Sequence, residues 1–356
     1  MMKGDLKMAN ISNFIPNNQV YGTNSADAID NFAAGSAIYA FGSGDIIRNF
    51  YAANSTVQGY TGNDTIYNFS ENAVIDGGEN DDDIGNSASN ATILGGDGDD
   101  WILSDENLIL VNIQGGGDED TILNHSHWTT IDGGNNDDML VNFYSSNVLM
   151  IGGDGADKLD NYGEHVTLIG GNSNDTIRNY SSNVNVSGGD GNDSIYSAVN
   201  LIYISVEGGA GNDTIQNYSS WSTLKGGAGQ DNITSSNLAS HLWIEGNEDD
   251  DYIRNDSSNS TINGGAGDDQ IWSYANDATV IYYKNQGSEY IYNHGENMTI
   301  YFPDASIDDV LSAGYSYGDI TFNNNSKVSF NYSAPNTYRF SNGDEYIYSD
   351  GSLVRK

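Results

Sequence analysis

The sequence predicts an all-β protein, a right-handed parallel β-roll or β-solenoid with coils of 18 to 20 residues and a β-rich C-terminal cap. Three observations lead to this fold class. An aspartate recurs at a near-constant interval through most of the 356 residues, glycines cluster just before it, and apolar residues alternate with polar ones on both sides. A period of this length is too short for two helices and fits two short strands joined by two turns.

The recurring aspartate sets the period of the repeat. Successive members of the series are 18, 19 or 20 residues apart, and Glu289 continues it. The aspartates are Asp27, Asp45, Asp64, Asp82, Asp100, Asp120, Asp138, Asp157, Asp175, Asp193, Asp213, Asp231, Asp251 and Asp269. A period that drifts so little indicates stacked coils in which equivalent residues lie above one another.

Two aliphatic positions accompany each aspartate. The first lies two residues after it, at Ile66, Ile84, Ile102, Ile122, Leu140, Leu159, Ile177, Ile195, Ile215, Ile233, Ile253 and Ile271. The second lies two residues before each glycine pair, at Val57, Ile75, Ile93, Ile113, Ile131, Met150, Leu168, Val186, Val206, Leu224, Ile244 and Ile262. Because neighbouring positions are mostly polar, each series predicts a strand with one inward face. The two ladders are expected to face each other as a thin core.

A second type of turn joins the strands at the other edge of the coil. Its asparagines are Asn68, Asn86, Asn124, Asn142, Asn161, Asn179, Asn217 and Asn255. Aligned asparagine side chains can hydrogen-bond along a stack and satisfy turn amides, so we predict a structural role for them. Asp105 and Asp256 lie on this edge, which lacks glycine pairs.

The glycine-rich turns have the chemistry of a hard-metal site. Residues 95–100 read Gly-Gly-Asp-Gly-Asp-Asp. Glycine allows positive φ and turns carbonyl oxygens inward, and the last aspartate adds a carboxylate. Such oxygen ligands favour Ca²⁺, and turns stacked at ~4.8 Å could share several ions between coils. A metal-free solenoid is the alternative, but it would leave the stacked carboxylates uncompensated.

This pattern resembles the repeats-in-toxin (RTX) nonapeptide, Gly-Gly-x-Gly-x-Asp-x-aliphatic-x. The full hexapeptide occurs six times, and the resemblance covers roughly residues 22–295. It implies that turn carbonyls and aspartates of adjacent coils bind Ca²⁺, at Gly95, Gly98, Asp100, Gly152, Gly155, Asp157, Gly188, Gly191, Asp193, Gly208, Gly211, Asp213, Gly226, Gly229, Asp231, Gly264, Gly267 and Asp269. Only every second nonapeptide carries the motif, so ions are expected along one edge.

Further candidate ligands lie in turns that depart from the full motif. They are Asp64, Asp82, Asp120, Asp138, Asp175 and Asp251. The turns of Asp82, Asp138 and Asp175 lack the third glycine, and the turn of Asp251 also lacks the second. These sites are weaker candidates, because fewer of their positions suit the backbone conformation of the full motif.

Three segments are expected from the extent of the repeat. Residues 1–21 are predicted as an N-terminal extension or cap, 22–295 as the calcium-binding β-roll and 296–356 as a Tyr-rich capping region, since solenoid ends need protection. Aromatic residues alternate in the last segment, at Phe302, Tyr315, Tyr317, Phe322, Phe330, Tyr332, Tyr338, Phe340, Tyr346 and Tyr348. No cleavable signal peptide is recognisable, so the expected extracellular or cell-surface location follows from the resemblance alone.

Composition excludes several classes of function. Lys and Arg number 12 against 50 Asp and Glu, a formal charge of −38, so no basic surface exists for nucleic acid. There is no cysteine, and no apolar stretch is long enough for membrane insertion. The five histidines (His125, His127, His165, His241 and His294) form no zinc-protease motif, and no nucleophile elbow or phosphate loop occurs.

The sequence therefore predicts a secreted, non-enzymatic module whose folding depends on Ca²⁺, with a structural or adhesive role and a cell-surface component or glycan as its partner. Two alternatives stay open. The first is an ice- or carbohydrate-binding solenoid, suggested by an outward threonine row at Thr56, Thr92, Thr130, Thr167, Thr223 and Thr261. The row is interrupted, and threonine also simply favours strands. The second is a polysaccharide-modifying β-helix enzyme, which the scarcity of basic residues disfavours.

Overall fold

A computed structural model describes residues 8–313, 319–331, 335, 337–349 and 352–356. The chain divides into two compact units, residues 1–176 and 177–356. Almost all regular structure is β-strand, and the only helix among the described residues is the short 3₁₀ turn Ile307–Asp309. Within that part of the chain, no helix has the length and apolar character needed to cross a membrane.

Unit 1 is a stack of coils, each with one strand in each of two parallel sheets. We call the sheet that follows the recurring aspartate sheet A and the sheet that ends in the glycine pair sheet B. Sheet A contains Asn10–Asn13, Ala28–Asn31, Ile46–Phe50, Thr65–Phe69, Asp83–Asn86, Trp101–Ser104, Thr121–Asn124, Met139–Asn142 and Lys158–Asn161. Sheet B contains Gln19–Tyr21, Ala37–Gly42, Thr56–Thr61, Val74–Glu79, Thr92–Asp97, Asn112–Gly117, Thr130–Asn135, Leu149–Asp154 and Thr167–Asn172. The strand Thr176–Asn179 includes the boundary between the units.

Unit 2 repeats this arrangement and ends in antiparallel strands. Its parallel strands in sheet A are Ser194–Ser197, Thr214–Asn217, Asn232–Ser235, Tyr252–Asn255, Gln270–Ser273, Glu289–Asn293 and Lys327–Asn331. Those in sheet B are Val184–Asp190, Ile204–Ala210, Thr223–Ala228, Trp243–Glu248, Thr261–Ala266, Thr279–Ile281, Thr299–Phe302 and Thr337–Phe340. Val310–Ala313, Ile320–Phe322, Glu345–Ser349 and Ser352–Arg355 pair antiparallel at the edges of these sheets. The predicted all-β parallel solenoid is thus confirmed.

The two predicted aliphatic ladders form the core of each unit. Every side chain in both ladders is at most 4% exposed, and most are fully buried. The register is direct, since Ile93 in sheet B pairs with Ile75 and Ile113, and Ile102 in sheet A pairs with Ile84 and Ile122. Stacking like on like allows one aliphatic side chain per strand to fill a core that is only two residues wide.

The predicted asparagine stack closes the other edge of the coil. Asn124 Nδ2 donates to Asn142 Oδ1 at 2.9 Å, and Asn142 Nδ2 donates to Asn161 Oδ1 at 2.8 Å. Asn142 Nδ2 also donates to the Ser145 carbonyl, which ties its own turn together. Because these asparagines are fully buried, each bond satisfies a polar group that water does not reach. The structural role predicted for the asparagines is confirmed.

The ends show where coil-like pairing begins and stops. Within the described residues, the first parallel pairing is at Asn10, inside the segment predicted as an N-terminal cap. In unit 2, buried Tyr282, Phe302, Phe322 and Phe340 form an aromatic cluster, with ring centroids of Phe302 and Phe340 5.1 Å apart. The predicted aromatic positions Tyr315, Tyr317 and Tyr332 lie outside the described residues. The three segment boundaries remain predictions.

Candidate metal centre

The backbone of the Gly-Asp turn explains why glycine recurs in it. In the turn that ends at Asp100, the second glycine, Gly96, has φ +131°, and the third, Gly98, has φ +126°. A side chain on Gly96 would also meet the Gly78 carbonyl of the preceding coil, since a Cβ would lie 1.9 Å from that oxygen. The second glycine is therefore required by both conformation and close approach. The sequence prediction included this glycine in the turn motif but not among the predicted ligand positions.

The motif aspartates point into the coil, where each binds the backbone of the coil before it. The Asp193 N–H donates to Asp213 Oδ1 at 2.8 Å, and the Asp213 N–H donates to Asp231 Oδ1 at 2.8 Å. Unit 1 repeats the contact, with Asp82 N donating to Asp100 Oδ1 at 2.8 Å. These aspartates are at most 3% exposed. One carboxylate oxygen of each motif aspartate thus forms a hydrogen bond to the backbone of the preceding coil.

The other carboxylate oxygen lies in a small cradle without a hydrogen-bond partner. Asp100 Oδ2 lies 2.2 Å from where a Cβ on Gly95 would stand, and the Gly115 carbonyl oxygen of the next coil lies 2.5 Å from the same point. Both atoms are hydrogen-bond acceptors, and Asp100 Oδ2 has no donor. The Oδ2 atoms in this position are buried and unpartnered at Asp64, Asp82, Asp100, Asp120, Asp138, Asp157, Asp213, Asp231 and Asp251. We call this space, bounded by the first glycine, the motif aspartate and the next coil's carbonyl, the cradle.

The surroundings of the cradle destabilise the charged form of its aspartate when no cation is bound. Burial raises the pKa of Asp82, Asp120 and Asp251 to about 8, although the backbone N–H bonds partly offset this and neighbouring carboxylates add to it. Burial likewise raises the pKa of Asp100 and Asp213 to about 7. Burial raises the pKa of Asp64, Asp157 and Asp231 only to about 6. Near neutral pH, the aspartates with the higher pKa values therefore hold a proton unless a cation takes its place.

The cradle fits a hard cation better than any other group. It offers one carboxylate and one carbonyl oxygen per coil, and the next coil offers the same pair about 4.8 Å away. Oxygen-only ligands with flexible geometry suit Ca²⁺, which takes six to eight of them. Among the described residues, no three His, Cys, Asp or Glu side chains converge on one point. Backbone carbonyls must therefore supply much of any coordination shell.

The structure brings every predicted aspartate to an equivalent place in its own turn. Asp64, Asp82, Asp120, Asp138, Asp175 and Asp251, from the weaker turns, are buried like those of the full motifs. The carbonyl oxygens of Gly77, Gly133, Gly170 and Gly246, absent from the predicted ligands, also border cradles. Their signal in the sequence was the glycine that opens each of these turns. At the Asp45 turn, a buried alanine, Ala40, takes the place of this glycine.

The weaker turns differ at the third glycine position. Glycines there have φ from +115° to +150°, at Gly98, Gly155, Gly191, Gly211, Gly229 and Gly267. Other residues there have φ from +72° to +78°, at Asn80, Asp118, Asn136, Ser173 and Asp249. Non-glycine residues are confined to the smaller positive φ values of the left-handed region, whereas glycine also adopts larger ones. Full and weak turns therefore present the same cradle with a differently oriented peptide beside it.

At the last position of the aspartate row in unit 2, the residue is Glu289, whose side chain is longer than that of aspartate. Glu289 Oε1 lies 2.8 Å from where a Cβ on Gly264 would stand, in the place of the next coil's carbonyl. Burial, followed by the charge of Asp269, raises the pKa of Glu289 well above its usual range. Asp269 and Glu289 thus place two carboxyl groups around one cradle, where a cation would relieve their repulsion.

Two of the five histidines, His125 and His127, have ordinary contacts. His127 Nδ1 accepts the Ser146 N–H at 2.9 Å, and the His125 ring stacks on Phe143 with centroids 4.6 Å apart. Asp256 on the asparagine edge pairs with Arg254, its Oδ2 lying 3.0 Å from Nη2. These residues are part of the turn packing and do not join the cradles.

Comparisons with known proteins give a structural likeness but no sequence match. No protein-family model and no curated protein matches the sequence. Among solved structures, the chain is similar to a hyperactive, Ca²⁺-dependent, β-helical antifreeze protein from an Antarctic bacterium. The similarity has a TM-score of 0.45 and 16% sequence identity, and it covers 100% of this chain and 96% of that chain. A likeness at this level assigns neither a ligand nor a function to the chain.

Proposed function

We propose that this chain is a Ca²⁺-binding β-solenoid of the RTX type, whose Gly-Asp turns hold a row of ions between coils and whose folding depends on them. The observation that supports this is the row of buried aspartates with an unpartnered Oδ2 facing a carbonyl oxygen. Bound Ca²⁺ would supply the positive charge that this pair of acceptors lacks. The aspartates would hold the ion through Oδ2 while Oδ1 keeps the N–H of the preceding coil.

The biological role we propose is that of an extracellular or cell-surface module, structural or adhesive and not enzymatic. The charge of −38 supports this location, because extracellular Ca²⁺ is abundant enough to neutralise it. Ice binding is a weaker candidate. In the register of unit 1, threonines occupy only alternate coils of the outward row, between Val74, Asn112 and Leu149. An ice-binding face would need a more regular array, and thermal hysteresis of the folded protein would test it.

The dependence of folding on Ca²⁺ is tested by far-ultraviolet circular dichroism at neutral pH. We expect little β-structure in EDTA, because the stacked carboxylates repel one another, and full β-structure in millimolar Ca²⁺. Mg²⁺ at the same concentration is the control for general charge screening, and it should restore much less. Identical spectra in EDTA and Ca²⁺ would refute the proposal.

The location of the ions is tested by the Ca²⁺ stoichiometry of two variants that remove the same charge. Asp213→Ala removes an Oδ2 between two full-motif turns, so it should abolish or weaken two adjacent sites. Asp256→Ala removes a surface carboxylate that pairs with Arg254, and it should leave the stoichiometry unchanged. Calorimetric titration of both distinguishes cradles from a diffuse ion atmosphere, which would predict equal losses.

A further inference from the structure

A row of aromatic side chains runs along the asparagine edge of unit 1. Each of its nine positions directly follows the residue that occupies the asparagine position of its coil. Seven of the positions hold an aromatic ring, and the nine residues are Phe14, Phe32, Phe50, Phe69, Ser87, Asp105, His125, Phe143 and Tyr162. The coil register makes these positions equivalent, because Phe50 pairs with Phe69, and the N–H groups of Ser87 and Asp105 donate to Asn68 and Asn86. We call this series the aromatic row.

The aromatic row is continuous except at two coils. From Phe14 to Phe69 the rings stack at centroid distances of 5.0–5.3 Å and interplanar angles of 3–12°. Stacking resumes between His125 and Phe143 at 4.6 Å. Ser87 and Asp105, whose side chains hydrogen-bond to each other, leave a gap between Phe69 and His125. Among the described residues, no ring covers the face of Phe69 that borders this gap.

An open groove of about 430 Å³ occupies the Phe69 side of the gap. Its walls include Phe69, Leu108 and Tyr51, and its floor is Ser87 with Ala88. This volume is within the usual range for a small-molecule site and holds more than one sugar-sized ring. The hydroxyl groups of Tyr51 and Ser87 give the groove polar atoms beside an exposed aromatic face.

The charge around the gap is acidic and uncompensated. Glu71 borders the groove, and Asp105 and Glu106 border the His125 side of the gap. Unit 1 has only two lysine or arginine side chains among its described residues, and both are engaged elsewhere. Arg48 pairs with Asp30 at 3.3 Å, and Lys158 pairs with Asp160 at 3.4 Å. The carboxylates around the gap therefore favour a ligand that carries positive charge.

We propose that this gap binds an oligosaccharide of amino sugars. A pyranose ring has a flat face of C–H bonds that can stack on Phe69 in the place of the missing ring. Its ammonium group would pair with Glu71 or Asp105 and would be attracted by the phenyl face. Its hydroxyl groups would bond to Ser87 and Tyr51. The site lies away from the Gly-Asp turns, so it is separate from the metal row.

Calorimetric titration of the Ca²⁺-loaded full chain tests this in mildly acidic buffer, with three probes of different chemistry. The glucosamine tetramer carries both rings and charge, cellotetraose carries rings without charge, and spermine carries charge without rings. We expect the glucosamine tetramer to bind at least ~10-fold more tightly than either control, because only it satisfies both the ring face and the carboxylates.

Two variants locate the binding. Ser87→Phe keeps the net charge and continues the stacking of Phe50 on Phe69, so it should fill the gap and weaken tetramer binding by ~10-fold or more. Phe69→Ser removes the ring face and should do the same. Ser236→Phe is the control, since it adds a ring at the corresponding position of a unit 2 turn, and it should change affinity by less than ~2-fold.

The proposal is overturned if the wild-type chain binds spermine and the tetramer equally well, or if neither Ser87→Phe nor Phe69→Ser weakens binding. Failure of the tetramer to bind the folded chain also overturns it. Light scattering adds one more outcome. A wild-type dimer that Ser87→Phe converts to a monomer would assign the gap to self-association and overturn the proposal. Ca²⁺-dependent folding is measured separately, so its failure and the failure of this proposal are distinguishable.

Discussion

Replacing Asp213 by asparagine should have opposite effects with and without Ca²⁺. The amide oxygen of the new side chain can still accept the Asp193 N–H, and its amide nitrogen can donate to the Gly226 carbonyl across the cradle. In the ion-free fold, burial raises the pKa of Asp213 from 3.8 to about 7. Because the folded pKa is the higher one, the ion-free fold is most stable below about pH 4 and loses stability as pH rises through 7. At pH 8 this one carboxylate costs up to about 4 kcal/mol, and the Asp213→Asn substitution would remove that cost.

The assay is the circular dichroism signal of the β-sheet in EDTA between pH 5 and pH 9. We expect the wild-type chain to lose its signal as pH rises, and Asp213→Asn to keep it to a higher pH. In Ca²⁺ the order reverses, and the variant should need about 10-fold more Ca²⁺ for half-maximal folding, since an ion ligand is gone. Asp256→Asn, beside Arg254, is the charge-matched control and should change stability by less than about 1 kcal/mol. A variant that is less stable in both conditions would refute the reasoning.

Three more substitutions test the rest of the coil, each by urea denaturation in Ca²⁺. Asn142→Ala removes one of the two acceptors of Asn124 Nδ2, which keeps its bond to the Ser126 carbonyl, and it removes the side-chain donor to the Ser145 carbonyl, so we expect a loss of about 2–4 kcal/mol. Ile131→Ala opens a cavity in the fully buried sheet B ladder and should cost about 2–5 kcal/mol. Gly208→Ala places a methyl group 2.2 Å from Asp213 Oδ2, so it should remove Ca²⁺ binding at that cradle as well as stability. A stable Gly208→Ala variant with unchanged Ca²⁺ stoichiometry would show that the cradle is not the site.

The repeat was predictable because each of its parts has a separate signal in the sequence. The aliphatic residues at Ile93 and Ile102 alternate with polar ones, which sets strand and face. The interval between aspartates fixes the register even where coil length varies. Asp100 and Asp120 are 20 residues apart, yet Asp100 N still donates to Asp120 Oδ1 at 2.9 Å. The extra residues lie in the asparagine-edge turn between Ser104 and Asn112, outside the strands and the Gly-Asp turn.

The detail of the cradle was not predictable in the same way. The motif marks Gly95 and Asp100 as turn residues. It does not show which carbonyl oxygen faces the Asp100 carboxylate, because that depends on the offset between coils. The opposing carbonyl comes from Gly115, one coil later, and it is brought there by sheet B pairing. The gap in the aromatic row was missed for a related reason. Ser87 has no distinguishing signal in the sequence, and it becomes informative only when Phe69 is seen to have an uncovered face.

The Oδ1 atom of a motif aspartate accepts a hydrogen bond from the backbone N–H of the coil before it. This gives the row of aspartates a direction. Asp193 N is satisfied only when Asp213 is in place, and Asp213 N only when Asp231 is. During synthesis or translocation from the N-terminus, the most recently emerged coil therefore has an unsatisfied N–H that its successor completes. Each new coil would therefore add to the C-terminal end of the row of aspartates. An interruption within a unit would leave a donor exposed on one side and a carboxylate on the other, so the two broken ends would differ in their affinity for cations.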